Sequence, residues 1–275
     1  MTEAHSSEDQ QMVITFTILA LCMVTTWVIY TRSYQFNYMA YGMFIPSIST
    51  FITLSYYNRD MKQFISDSFF INLDVLMQCL IASWLSGLFV LLSVGIGVMK
   101  GWTIAQKSKT KMDKIAVHKH NRNPFYAFIR AGGEELGFRC FLLPKLLNVY
   151  GTNHFFYVSS ICGIIWALSH LALMIVLTKK FKTPNPIQII VFQFVSVYVQ
   201  TFFMNWLGWL SYYSWFVVTV AHFTFNQINP MLLGSVYTNT QGKYKGELWK
   251  INGEGWAGCI AGAVYIGLMY IFVDF

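Results

Sequence analysis

At 275 residues, with 55% hydrophobic, 18% aromatic and 11% charged side chains, the chain is too apolar for an ordinary soluble domain. The net charge of +7 would suit a soluble nucleic-acid-binding protein, but the basic residues sort by side of a membrane, and no nucleic-acid partner is implied. The expected fold class is all-α, a polytopic transmembrane helix bundle of about eight spans surrounded by membrane lipid.

A helix needs roughly 20 apolar residues to cross about 30 Å of hydrocarbon. After a polar tail over 1–11, runs near that length occupy 12–30, 36–57, 73–99, 124–147, 155–177, 186–207, 212–233 and 255–272. The first run has no Lys or Arg before it, unlike the basic leader of a secretory signal, and reads as a retained span. The fourth is the most polar of the set. Four segments follow: the tail; N-terminal helices and a basic loop over 12–122; helices carrying polar motifs over 123–235; and a loop with a last span over 236–275. Cys22, Cys79, Cys140, Cys162 and Cys259 all fall inside the runs and form no CxxC pair. They read as small core residues, with neither a disulfide framework nor a thiolate metal site.

Charge sets the expected threading. With the N-terminus outside, the cytoplasmic loops hold Arg32; Lys100, Lys107, Lys109, Lys111, Lys114, Lys119 and Arg122; Lys179, Lys180 and Lys182; and Lys243, Lys245 and Lys250. The other side holds Arg59, Lys62 and Lys145. A bias of about fourteen basic residues to three places both termini on the non-cytoplasmic side. His118 and His120 lie in the long basic loop and read as solvated.

Three apolar runs carry groups that lipid disfavours: Glu134-Glu135-x-x-x-Arg139, Trp166-x-x-x-His170 and His222-x-x-x-Asn226. Polar side chains at membrane depth face a protein interior or a wet cavity where they have a task. Measured at 1.5 Å per residue from the cytoplasmic helix ends, Glu134 lies roughly 15 Å deep, His170 roughly 11 Å, and His222 and Asn226 roughly 10 to 17 Å. One layer therefore holds them all, as a composite site requires.

Within the first motif Glu135 and Arg139 are i,i+4 partners, while Glu134 points about 100° away. The expected division has Glu135 and Arg139 neutralising each other as structural support, leaving Glu134 as a general base toward water. Arg130, also i,i+4 to Glu134, would lower that basicity if it paired tightly. Gly132 and Gly133 allow another backbone to come close, or break the helix locally. His222 and Asn226 share a helix face, and two neutral donors side by side suit the oxyanion formed when water attacks a carbonyl. A Glu and two His could instead hold zinc with an open fourth position, although HExxH is absent. The metal-free reading, with no cofactor required, is preferred, and zinc stays open. Gln227 and Asn229 could line the pocket, or satisfy backbone near Pro230.

Gly133-Glu-Glu-Leu-Gly-Phe-Arg139-Cys-Phe-Leu-Leu-Pro144, then Gly163-Ile-Ile-Trp-Ala-Leu-Ser-His170, then Ala221-His-Phe-Thr-Phe-Asn226 resembles the CAAX protease and bacteriocin-processing (CPBP) family of intramembrane proteases. The resemblance covers about 100 residues, from Gly132 to Asn226, and rests on three motifs in order. It implies an eight-helix bundle with a site open toward the cytoplasm, endoproteolysis, Glu134 and His170 activating water, and His222 and Asn226 stabilising the oxyanion. In type II CAAX prenyl endopeptidases the substrate is a prenylated protein cut after its lipidated cysteine, and bacterial relatives include members linked to peptide maturation, bacteriocin immunity and stress signalling; the resemblance thus implies a prenylated protein or a membrane-associated peptide as substrate here. Trp166 stands where the family usually has Phe, and Cys140 where Gly is common. Leu171, Ala172 and Leu173 replace the extra histidines of eukaryotic members, which leans toward a prokaryotic-type branch. The rival classes are a non-catalytic scaffold or immunity protein that retains the polar core, and a proton-coupled transporter. The transporter is disfavoured by the lack of an inverted repeat.

Overall fold

A computed structural model describes residues 3–34, 36–105 and 123–272. The basic-loop residues Lys107, Lys109, Lys111, Lys114, Lys119, Arg122, His118 and His120 lie outside the described residues. Helix α1 (Glu3–Thr31) leads into the short α2 (Phe36–Ala40), a 3-10 turn (Tyr41–Phe44) and α3 (Ile45–Tyr56). Next come α4 (Met61–Ser68), capped by the Asp60 carboxylate, and α5 (Leu73–Met99), capped by Asn72. Helix α6 (Pro124–Gly137) starts where the Asn123 side chain accepts from the Phe125 and Tyr126 N–H groups and Pro124 fills the first turn. That pairing supplies a cap and a residue preset for helical φ. A π turn (Phe138–Leu142) links α6 to α7 (Leu143–Tyr150), and a 3-10 turn (Thr152–His154) leads into α8 (Phe155–Lys180). The remaining helices are α9 (Pro186–Leu210), α10 (Trp215–Leu233), the single-turn α11 (Leu248–Ile251) and α12 (Trp256–Phe272).

The all-α expectation holds, with one small addition. Strand β1 (Ile104–Ala105) pairs antiparallel with β2 (Tyr244–Lys245), tying the segment after α5 to the one before α11. Helix packing forms a closed circuit, α1–α3–α6–α10–α5–α12–α9–α8 and back to α1, with α9 also touching α10. The polar motifs on α6, α8 and α10 therefore face the inside of one ring.

Among the described residues, five segments are long and apolar enough to cross a bilayer: Ser7–Thr31, Leu73–Met99, Thr152–Lys180, Pro186–Leu210 and Leu248–Ile271. They mark an integral membrane protein. The other expected spans are helical but interrupted. The run over 36–57 is split by the 3-10 turn, with Pro46 restarting the helix; the run over 124–147 is split by the π turn, with Pro144 opening α7; and α10 contains Pro230. Apolar side chains on α5, including Leu76, Leu80, Trp84 and Leu91, are exposed, as lipid-facing residues should be. The cysteines are all free, but only Cys140, Cys162 and Cys259 are core; Cys79 is half-buried and Cys22 is on the lipid-facing surface, because α1 packs by one stripe only.

Close approach at the glycines of α6 fixes that helix. A methyl on Gly132 would sit 2.1 Å from the Trp215 ring, and one on Gly133 would sit 2.8 Å from the Met43 carbonyl. Trp215 Nε1 donates to the Gly132 carbonyl at 2.8 Å and Ser47 Oγ to the Gly133 carbonyl at 2.6 Å. The helix stays unbroken through both glycines.

Candidate active site

Directly after the glycines, Glu134 is 7% exposed and Glu135 fully buried, on different faces of α6. Glu135 accepts from Arg139 at 3.3 Å, as i,i+4 spacing predicts, and Arg139 is itself fully buried. The Arg139 guanidinium stacks 3.9 Å from the centre of a Trp166 ring. A carboxylate and a guanidinium at zero exposure need each other, since either alone would be an uncompensated charge in low dielectric.

The support role expected for Glu135 is too narrow. Its Oε1 also accepts from His222 Nδ1 at 2.7 Å, from a residue 87 positions away on α10. A carboxylate only accepts, so the proton lies on Nδ1. A neutral His222 in that tautomer presents a bare Nε2 lone pair; it donates toward an oxyanion only as the imidazolium. The expected neutral donor is corrected accordingly, because spacing on one helix cannot show what the other ring nitrogen meets.

Glu134 has a separate partner. Trp166 Nε1 donates to its Oε2 at 3.1 Å, which the Phe usual at that position could not do. Arg130 makes no ion pair with Glu134 among the described residues, so the pairing considered from spacing alone does not form. His170 Nδ1 donates to the Trp166 carbonyl one turn back at 2.9 Å, leaving Nε2 as an acceptor. Trp166 thus occupies the centre of the site, with His170 and His222 edge-on to it at 5.6 and 5.9 Å between ring centres.

Trp166→Phe would remove the N–H together with part of the buried ring system. A hydrogen bond to a buried charged group is worth about 1.5–3 kcal/mol, so a loss of at least that order is expected in detergent unfolding. In a Glu134→Gln background the same change should cost less, and a double-mutant cycle with no coupling would show that the indole does not hold the carboxylate.

Glu134, His170, His222 and Asn226, together with Arg130, Gln227 and Asn229, line one cavity inside the helix circuit. Val24, Val28, Met39, Met43 and Leu173 give the same cavity an apolar part. The four expected site residues are therefore brought together. The zinc alternative needs at least three His and carboxylate ligands converging on a point; among the described residues no such group occurs, and Glu134 Oε2 is engaged by Trp166.

Part of the cavity was not foreseen. Glu254, before α12, and Tyr237, after α10, also line it, with the Tyr237 hydroxyl donating to Glu254 Oε1 at 2.5 Å and Gln193 Nε2 donating to that hydroxyl at 3.2 Å. Loss of solvent and then the Glu254 charge push the Tyr237 hydroxyl well above its ordinary range, so it stays a donor. Asn229, Asn252, Ser196 and Gln200 lock the same corner, the last two both donating to the Gly253 carbonyl at 2.8 Å. The sequence signal was faint: an acidic residue between two glycines, Gly253-Glu254-Gly255, at the mouth of the last apolar run.

Fold and site define an integral membrane protein of packed helices with two glutamates, two histidines and an asparagine gathered at its core. Residues 123–228, less than half of the chain, match the family model described as Rce1-like, type II CAAX prenyl endopeptidase. That segment holds every expected site residue, and over it the chain is similar to the Rce1-like family, a family of proteases. A comparison with curated proteins gives no match.

Proposed function

We propose that the protein is an intramembrane endopeptidase that hydrolyses a peptide bond near the C-terminus of a prenylated protein, using water activated by Glu134. The observation that carries this reading is a carboxylate aligned by the Trp166 N–H in the same cavity as two imidazoles and a carboxamide. Glu134 takes a proton from water as its oxygen attacks the scissile carbonyl, and the His170 Nε2 lone pair accepts the water's other hydrogen and orients it. The tetrahedral oxyanion receives hydrogen bonds from the Asn226 carboxamide and from His222 as an imidazolium, whose charge Glu135 balances at 2.7 Å. The C–N bond then breaks as Glu134 returns its proton to the departing nitrogen, leaving a carboxylic acid and an amine, and the acid's remaining proton then passes to the amine.

The apolar part formed by Val24, Val28, Met39, Met43 and Leu173 supports a lipidated substrate, because it offers an isoprenoid chain a surface in the same cavity as the carboxylate. On this reading the threading puts both termini on the non-cytoplasmic side and the cavity toward the cytoplasm, where prenylated proteins are made.

The test is cleavage of matched farnesylated and unmodified peptides by purified protein in vesicles. A preference of at least about tenfold in kcat/KM for the farnesylated peptide is expected from burying even part of such a chain. Equal cleavage would remove the prenyl requirement, and no cleavage by folded protein would favour the scaffold.

A further inference from the structure

Glu254 lines the same cavity as Glu134, yet it stands beyond the matched segment, which ends at residue 228, and has no step in the proposed chemistry. Its side chain is 9% exposed, and its hydrogen-bond donor is the neutral Tyr237 hydroxyl, which Gln193 holds in turn. Among the described residues no basic side chain pairs with it. The cations nearby do not serve: Arg139 and His222 both meet Glu135, and Arg130 forms no ion pair with any carboxylate among those residues. A carboxylate enclosed in this way is costly unless a ligand brings the balancing charge.

The chain fixes the carboxylate in place. The Glu254 N–H donates to Asn252 Oδ1 at 2.9 Å, the Gly253 N–H to Asn229 Oδ1 at 3.0 Å, and Asn229 Nδ2 to Asn252 Oδ1 at 3.0 Å. A methyl on Gly258 would sit 1.8 Å from the Gly253 carbonyl, and one on Gly253 would sit 2.8 Å from Asn229 Oδ1, so α12 and α10 close in on the turn from both sides. A group held this firmly loses little freedom when it binds. Phe225 and Asn229, the α10 residues that Gly253 approaches, flank Asn226 in the chain. On the proposed threading α10 runs toward the cytoplasm, and Glu254 meets residues that follow Asn226, so it lies on the cytoplasmic side of the proposed oxyanion donors. A protein that inserts its C-terminal end from the cytoplasm leaves the chain N-terminal to the scissile bond on that side.

We propose that Glu254 determines specificity by binding a basic side chain, Lys or Arg, that precedes the scissile bond of the substrate. This rests on the endopeptidase reading and deepens it: the enzyme would select substrates with a cation just before the lipidated residue. Tyr237 and Gln193 already supply neutral donors at this corner, so the group still wanted is a positive charge.

Full-length protein carrying Glu134→Gln, which keeps the peptide uncut and removes the other carboxylate lining the cavity, is placed in phosphatidylcholine vesicles. It is titrated with fluorescent farnesyl-cysteine peptides bearing three further residues, in which each position before the cysteine is in turn Lys, Gln or Glu. At one position Lys is expected to bind at least about tenfold more tightly than Gln, as a hydrogen bond between charged groups provides. Adding Glu254→Gln, whose amide oxygen still accepts from Tyr237, should shrink that gap below twofold and improve binding of the Glu peptide. Because each ratio compares peptides on one protein, a merely structural role would not move it. Equal binding of Lys and Gln peptides at every position, a preference that survives Glu254→Gln, or no binding of any peptide by folded protein would each overturn the proposal. Cleavage assays with Glu134 intact separate the two readings. A Glu254-dependent preference for Lys without cleavage would sink the protease reading and leave the cation site standing, whereas cleavage of Lys and Gln peptides with equal kcat/KM would do the reverse.

Discussion

Glu134→Gln is expected to lower cleavage of a prenylated peptide by about 10²- to 10⁴-fold while leaving the bundle folded. The substitution is nearly isosteric, and its amide oxygen can still accept from Trp166 Nε1, the bond that Glu134 makes at 3.1 Å. What disappears is the capacity to take a proton from water and return it to the leaving nitrogen. Steady-state kinetics in vesicles, with detergent unfolding as the check on folding, decides the matter. Near-native kcat/KM in Glu134→Gln would take the role of base away from this residue, and Glu254, the other carboxylate facing the cavity without a basic partner among the described residues, would then come first for the role.

Arg139→Met carries the largest expected effect on stability. Glu135 is fully buried and would be left with His222 alone, and removing one partner of a buried pair costs about 3–5 kcal/mol. The guanidinium's stacking on Trp166 at 3.9 Å would be lost as well. Stability and function should then part company. In Glu135→Leu combined with Arg139→Met the charge pair gives way to apolar side chains of similar bulk, and stability should recover to within about 1–2 kcal/mol of the original. Activity should not recover, because His222 has lost the carboxylate that fixes its tautomer and balances its charge. If the double substitution is as unstable as the sum of the two singles, the residues are not coupled as a pair. If it is active, Glu135 does not position His222.

The two glutamates also show where reading the sequence stops. Side by side in the chain, they were separable by the 100° turn between consecutive helical residues, and Glu135–Arg139 followed from i,i+4 spacing. That pair forms as expected, at 3.3 Å. The glycines before them allowed close approach, and Trp215 and Met43 do come that close. Composition alone gave the membrane and the helices. The span boundaries were less legible at the middle of the chain, where Pro46, Pro144 and the π turn around Arg139 interrupt runs whose hydropathy is continuous.

Partners across helices were invisible. His222 Nδ1 on Glu135, 87 residues away, and Trp166 Nε1 on Glu134, 32 residues away, depend on how α6, α8 and α10 are turned toward one another inside the circuit. The closing corner of Glu254, Tyr237 and Gln193 likewise joins a loop, a helix start and a distant helix face. The sequence by itself determined that this is a bundle of membrane helices with carboxylate, imidazole and carboxamide groups at one depth. Which nitrogen meets which oxygen, and which charge is left unpaired in the cavity, was decided only by tertiary packing. Hydropathy and helical period are properties of one segment against its solvent, whereas a hydrogen bond between helices requires the relative rotation of both to within a fraction of an ångström.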